Sequence, residues 1–255
     1  MKVISFGSSS KGNSYLLDDG ESCLLIECGF AYKPMVQMLR SAGRSLGQLS
    51  GVLISHEHDD HAKCWEKLID FGLRVYASDG TITALAEKGS RMLAGQMIPL
   101  APAQGQDISQ AVAIGSYDVI AFRTFHDAAE PIGFLIRSRA DGEKLAFAID
   151  TVNIRYRFPG VNKLMLEANY DEHFLSQHDR LPESVLKRIR NTHMSIDTLC
   201  EYLGTLDLSA CTGLYLMHLS RASSDEYVFY KKVRAVIPDH VEVIIFPEGG
   251  PKKAR

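Results

Sequence analysis

Ser55-His56-Glu57-His58-Asp59-Asp60-His61 decides how this chain is read. Three imidazoles and three carboxylates crowd into the order H-x-H-x-D-H, directly after the apolar run Gly51-Val52-Leu53-Ile54. A helix would splay His56 and His58 apart, whereas an extended or loop segment lets both aim at one ion. Asp60 and His61 follow at what should be the start of the next helix, and a strand end gives them a rigid base from which to reach a second ion. Imidazole and carboxylate suit zinc and its first-row neighbours, and two such ions can share and activate a water. The stretch therefore reads as half of a two-metal hydrolytic site rather than a polar surface loop.

The other half is sought wherever an apolar strand runs out on a ligand. Phe125-His126-Asp127, Ala148-Ile149-Asp150-Thr151 and Leu216-Met217-His218-Leu219-Ser220 all do this. Isolated histidines are more often structural, but strand C-terminal ends gather along one edge of a sheet, so the repeated placement argues for a shared site. Asp150 follows Leu145-Ala146-Phe147-Ala148-Ile149 and would otherwise be a carboxylate abutting a buried strand without a partner, a cost that metal ligation removes.

Working outward, the chain opens with strand-like runs at 2–6, 14–18 and 23–28, then helical spacing over 32–42 and a strand over 51–55. A helix over 62–71, a strand over 74–77 and a helix over 81–88 follow. Three long strands are expected at 111–125, 132–139 and 144–149, the last two joined by the hairpin signal Asp141-Gly142. A strand over 163–167 leads into a final third in which helices (182–190, 195–203, 224–236) alternate with strands (214–217, 241–246). Strands with helices in both halves imply an α+β fold, an αβ/βα four-layer sandwich of two mixed sheets with helices outside.

With 255 residues, 45% hydrophobic and 23% charged, the chain has the composition of a globular protein with a substantial core. No linker, low-complexity tract or internal repeat divides it, so residues 1–255 are expected to form one domain. A formal net charge of −3 excludes a strongly basic coat for nucleic acid while leaving room for a local basic groove. The cysteines (Cys23, Cys28, Cys64, Cys200, Cys211) are odd in number and form no C-x-x-C pair, as expected of reduced thiols. The start Met1-Lys2-Val3-Ile4-Ser5-Phe6-Gly7 turns polar at once, and no apolar run approaches membrane-spanning length, so a cytoplasmic protein is expected.

On these motifs, in the order H-x-H-x-D-H, His, Asp, His, the chain resembles the metallo-β-lactamase fold superfamily over nearly its whole length. The resemblance implies that His56, His58 and His126 hold one metal and Asp60, His61 and His218 a second, with Asp150 bridging them. It further implies a bridging hydroxide as nucleophile, which Asp60 also orients. Ser8-Ser9-Ser10-Lys11-Gly12-Asn13-Ser14, Leu24-Leu25-Ile26-Glu27-Cys28-Gly29, Leu166-Glu167-Ala168-Asn169-Tyr170-Asp171 and the pair Thr192-His193-Met194-Ser195 and Met217-His218-Leu219-Ser220 are similar to the YycJ/WalJ group, relatives of tRNase Z and RNase J. That resemblance implies cleavage of nucleic-acid phosphodiesters, as a 5′-to-3′ DNA exonuclease. It also implies that His193 donates a proton or contacts the scissile phosphate, tuned by Glu167. Glu27 stands where the group usually has Asp, and Thr192-His193-Met194-Ser195 where Gly-His-Leu-Ser is usual; neither departure touches an expected ligand.

Gly7-x-x-x-x-Gly12 imitates a Walker A spacing, but Asn13 replaces the lysine and a strand follows, so a nucleotide P-loop is not expected. Lys11 and Asn13 are candidates to contact a phosphate at the mouth of the site. Arg155, Tyr156 and Arg157, soon after Asp150, form a basic and aromatic cluster suited to a backbone or a base, and Lys187, Arg188 and Arg190 add charge before His193. His173, His178 and His240 match no motif and read as surface residues. Zinc, manganese and iron all accept the ligand types, and a β-CASP insertion has no room between Asp150 and His218. A small-molecule hydrolase acting on a thioester, lactone or cyclic phosphodiester is the alternative reading, and a non-catalytic metal-binding module a further one.

Overall fold

A computed structural model describes residues 1–177 and 182–246. His178 lies outside the described residues. The first sheet has six strands in sequence order: β1 (Lys2–Ser9), β2 (Gly12–Asp18), β3 (Cys23–Ile26), β4 (Leu49–Leu53), β5 (Val75–Ala77) and β6 (Ile98–Pro99). The second has seven: β7 (Val112–Ile114), β8 (Tyr117–Arg123), β9 (Ile132–Ser138), β10 (Lys144–Ala148), β11 (Lys163–Glu167), β12 (Gly213–Met217) and β13 (Glu242–Ile245). Both are mixed. β1 to β3 and β7 to β10 run antiparallel, whereas β3 to β6 and β10 to β13 run parallel.

The period-two alternation of each strand builds the layers. Tyr15, Leu17, Leu24, Ile26 and Leu53 meet Val119, Phe134, Leu145, Phe147, Met165 and Met217 in a core between the sheets. The intervening residues face outward onto helices. Leu16, Leu25, Val52 and Val75 pack with Met35 and Leu39 of α1 (Tyr32–Ser41) and with Trp65, Leu68 and Ile69. Ala146, Leu164, Leu166 and Leu214 pack with Met194, Leu199, Leu203, Phe229 and Val233. Each fully buried Leu, Phe or Met contributes about 1.5–3 kcal/mol relative to exposure. These layers are the αβ/βα sandwich expected from the sequence.

Local differences have local causes. The strand expected over 111–125 is a tight hairpin instead: Ile114 pairs with Tyr117 across Gly115-Ser116, and Gly115 has φ 58°. The helix expected over 62–71 begins earlier and divides into α2 (Asp59–Ala62) and α3 (Trp65–Asp70). It divides because the Cys64 amide bonds to the Cys28 carbonyl at 3.2 Å instead of continuing the helical ladder. After α4 (Asp79–Lys88), the short α5 (Arg91–Ala94) and β6 were not anticipated, nor was α6 (Glu172–Ser176). The remaining helices, α7 (Glu183–Thr192), α8 (Ile196–Leu203) and α9 (Glu226–Arg234), lie where expected.

Candidate metal centre

Parallel strands deliver the chemistry to one edge. The chain leaves β3 at Glu27, β4 at Ser55 and His56, β8 at His126, β10 at Asp150 and β12 at His218, while Glu167 is the last residue of β11. All are C-terminal ends pointing the same way, where a sheet's ligands gather. Glu27, Asp150 and His218 take left-handed backbone, with φ of 62°, 46° and 55°. L-residues rarely adopt that conformation, and here it falls where each residue leaves its strand.

The expected ligands meet there in two groups sharing Asp150. His56, His58, His126 and Asp150 form one, Asp60, His61, His218 and Asp150 the other, with candidate ligand atoms within 4.8 Å of one another in each. In the first, His58 Nδ1 lies 3.0 Å from His56 Nε2 and 3.3 Å from His126 Nε2. Asp150 Oδ2 is 3.6 Å from both His56 Nε2 and His126 Nε2. In the second, His61 Nε2 lies 3.2 Å from Asp150 Oδ2 and 3.3 Å from Asp60 Oδ2. His218 Nδ1 lies 2.9 Å from Asp150 Oδ1. A third group, Asp150, Glu167, His193 and His218, adjoins them, with His193 Nδ1 2.6 Å from Glu167 Oε1.

Surrounding groups aim these side chains. His126 Nδ1 stands 2.9 Å from the Thr192 carbonyl, which can only accept, so Nδ1 carries the proton and Nε2 offers its lone pair to the centre. Asn13 Nδ2 donates to Asp60 Oδ2 at 3.2 Å. The Ser55 amide donates to buried Glu27, whose Oε2 lies 3.7 Å from His61 Nδ1. Thr151 and Met194 amides donate to Glu167 Oε2, and the His218 amide to Ser8 Oγ. Glu57, buried beside the ligands, accepts from the Ala129 amide at 2.8 Å and ties the histidine turn to the loop after His126.

The protonation pattern shows a demand for positive charge. Burial opposes charge on His61 and His218, yet the Asp150 carboxylate overrides it and holds both imidazoles well above their ordinary value. Burial pushes His56 well below it, with His61 adding repulsion, and lowers His58, with His126 adding repulsion. Asp150 is held well below the carboxylate range, because His218 and His61 outweigh its burial. Burial raises Glu27 in spite of His61. His218 Nε2 is buried without a hydrogen-bond partner among the described residues. Imidazole nitrogens packed at about hydrogen-bond distance around two carboxylates fit divalent cations, which would replace the imidazolium protons.

The cleft above this centre is lined by Ser10, His58, Asp60, His126, Asp150, Val185, Arg188, Ile189, Thr192, His193 and His218. Of the residues expected to contact substrate, Asn13 is buried beneath the cleft holding Asp60, and Lys11 is an exposed turn residue next to Ser10. Arg155, Tyr156 and Arg157 do not line it. Arg155 lies 4.3 Å above the Phe125 ring, Arg157 5.5 Å from the Tyr202 ring, and the Tyr156 hydroxyl donates to the Asp107 carbonyl. His173 and His240 are exposed, as expected. Ser8, Glu57, Thr151 and Asn169, whose Nδ2 donates to the His218 carbonyl at 2.9 Å, all sit in motifs quoted above, but their roles in holding the site act through contacts distant in sequence that the motifs do not reveal.

Residues 23–219 match the family model described as Beta-lactamase superfamily domain. Exodeoxyribonuclease YycJ of Bacillus anthracis is 29% identical over 84% of this chain and 80% of its own length. Exodeoxyribonuclease WalJ of Streptococcus pneumoniae is 25% identical over 85% of this chain and 81% of its own. Among solved structures, the metallo-β-lactamase fold protein YhfI from Bacillus subtilis superposes with TM-score 0.69 at 18% identity, covering 97% of this chain and 96% of that one. Human tRNase Z, short form, superposes with TM-score 0.63 at 17% identity, covering 97% of each chain. At these identities the two structures establish a shared fold.

Proposed function

The chain belongs to the Beta-lactamase superfamily domain family, and we propose that it is a metal-dependent nuclease that shortens DNA from the 5′ end. The observation that carries the reading is the sharing of Asp150 between two His/Asp groups at the converging strand ends of both sheets. We assign His56, His58, His126 and Asp150 to one divalent ion, zinc or manganese, and Asp60, His61, His218 and Asp150 to another. Such ions, when bound, acidify a water and neutralise charge developing on the attacked group.

The chain's own residues supply position and proton control. Asp60, steadied by Asn13, faces the cleft and orients the attacking water. Glu167 fixes the His193 ring through Nδ1, leaving Nε2 to contact the scissile phosphate or protonate the leaving oxygen. DNA as substrate rests on the likeness to relatives named exodeoxyribonucleases over more than four-fifths of this chain, and the 5′-to-3′ direction rests only on what the motif resemblance implies. All five cysteines are free, in keeping with a reducing cytoplasmic setting, and among the described residues no helix is long and apolar enough to cross a membrane. We read residues 1–255 as one domain without a β-CASP insertion.

The test is turnover by metal-reconstituted protein on 5′-phosphorylated DNA, RNA, a generic phosphodiester and a thioester, with end-labelled DNA reporting direction. DNA is expected to be preferred, and Asp150→Ala and His58→Ala to lower turnover by about a thousandfold or more. Near wild-type activity in either variant sinks the mechanism, and preference for the thioester sinks the substrate.

A further inference from the structure

Helix α7 turns one face to the cleft: Val185, Arg188, Ile189 and Thr192, spaced as one side of a helix, all line it. Among the described residues that line the cleft, Arg188 carries the one permanent positive charge. Its Nε donates to Asp127 Oδ2 at 2.8 Å, while Asp127 Oδ1 lies 3.2 Å from His126 Nε2. The arginine is thus parked on a carboxylate at the rim of the metal centre. Only one of its donor groups is used there, and its terminal nitrogens have no hydrogen-bond partner among the described residues. The side chains of Arg188 and Asp127 are 62% and 39% exposed, and ion pairs so exposed hold weakly, so the guanidinium can leave at little cost.

From this geometry, and resting on the nuclease reading, we propose that Arg188 is the clamp for a backbone phosphate of the DNA strand, exchanging Asp127 for that phosphate when substrate enters. A guanidinium fork suits phosphate oxygens in two-point contact, which an ammonium does not reproduce. Val185 and Ile189, one turn apart beside Arg188, form the apolar ledge against which the attached nucleoside packs. With the whole chain at net charge −3, attraction of a polyanion must be local, and Arg188 places it beside the reacting centre.

Two variants that break the same ion pair separate this role from a structural one. With metal-loaded protein and a labelled, 5′-phosphorylated single-stranded oligodeoxynucleotide, Arg188→Ala should raise Kd and KM about tenfold. It should also flatten the dependence of log Kd on log salt by about 0.7, one phosphate contact on a single strand. Arg188→Lys should recover part of the affinity. Asp127→Asn frees the guanidinium and should leave Kd unchanged or lower it. If Arg188→Ala leaves Kd and salt slope unaltered while wild-type protein cleaves DNA, the clamp is wrong and the nuclease stands. If the two variants weaken binding equally, the pair is structural and the clamp is again wrong. Wild-type protein that neither binds nor cleaves the oligonucleotide overturns both readings.

Discussion

Gly29 offers no functional group, yet the ligand turn depends on it. A Cβ at this position would fall 1.7 Å from the Asp60 carbonyl oxygen and 2.8 Å from the Asn13 amide nitrogen, both backbone atoms that cannot swing aside. Gly29→Ala should therefore displace the Asp60 turn, lowering stability by about 1–3 kcal/mol and metal affinity by about 10–100-fold. Denaturant melts and calorimetric metal titration measure the two effects; unchanged metal affinity would show that the contact is incidental. This dependence was not legible in the sequence, because the close approach joins residues about thirty positions apart. His56, His58, Asp60 and His61 were legible, since adjacency alone exposes them. The left-handed backbone at Glu27, Asp150 and His218 was not, because a strand pattern says where a strand ends but not how its next residue turns.

Between elements, the turn joining β2 and β3 fastens one sheet to the other. The Asp19 carboxylate accepts from the Ser22 amide in its own turn and from the hydroxyls of Ser116 and Ser138 on the opposite sheet. Burial opposes its ionisation, but these hydrogen bonds, Ser116 foremost, hold its pKa below the ordinary value. A carboxyl depressed in the folded state stabilises at pH above its unfolded value, about 3.9, and that stabilisation is lost as pH falls through the folded value. Asp19→Asn should cost about 1 kcal/mol at neutral pH. The difference in denaturant midpoint between wild type and variant should then close on acidification below about pH 4; a difference that widens there contradicts the assignment. Period-two alternation revealed most strands, but it carried the reading through Gly115-Ser116 because apolar residues continue on both sides of that turn. Likewise the break at Cys64 follows from a hydrogen bond to Cys28, a partner invisible to local periodicity.

For the whole molecule, the proposed ions should act as a fastening between the sheets. A ligand that binds only the folded chain at a thousandfold excess over its Kd stabilises by about 4 kcal/mol. For a chain of 255 residues, that corresponds to a fall of about 10 °C in Tm on chelation. Scanning calorimetry with and without chelator should show the fall in wild type and little of it in Asp150→Ala; a chelator-insensitive wild type would refute the role. Layer order was legible at this scale because the strand and helix patterns are regular, whereas the cleft wall was not. The Arg155-Tyr156-Arg157 cluster is close to Asp150 in sequence yet packs on Phe125, Tyr202 and the Asp107 carbonyl, while Arg188 reaches the cleft from a distant helix. The division of the proposed ligands between β4 and β12 also sets an order in time. A ribosome has delivered one complete set once Asp150 emerges, but the other waits for His218, so a translation product interrupted before His218 can load at most one ion.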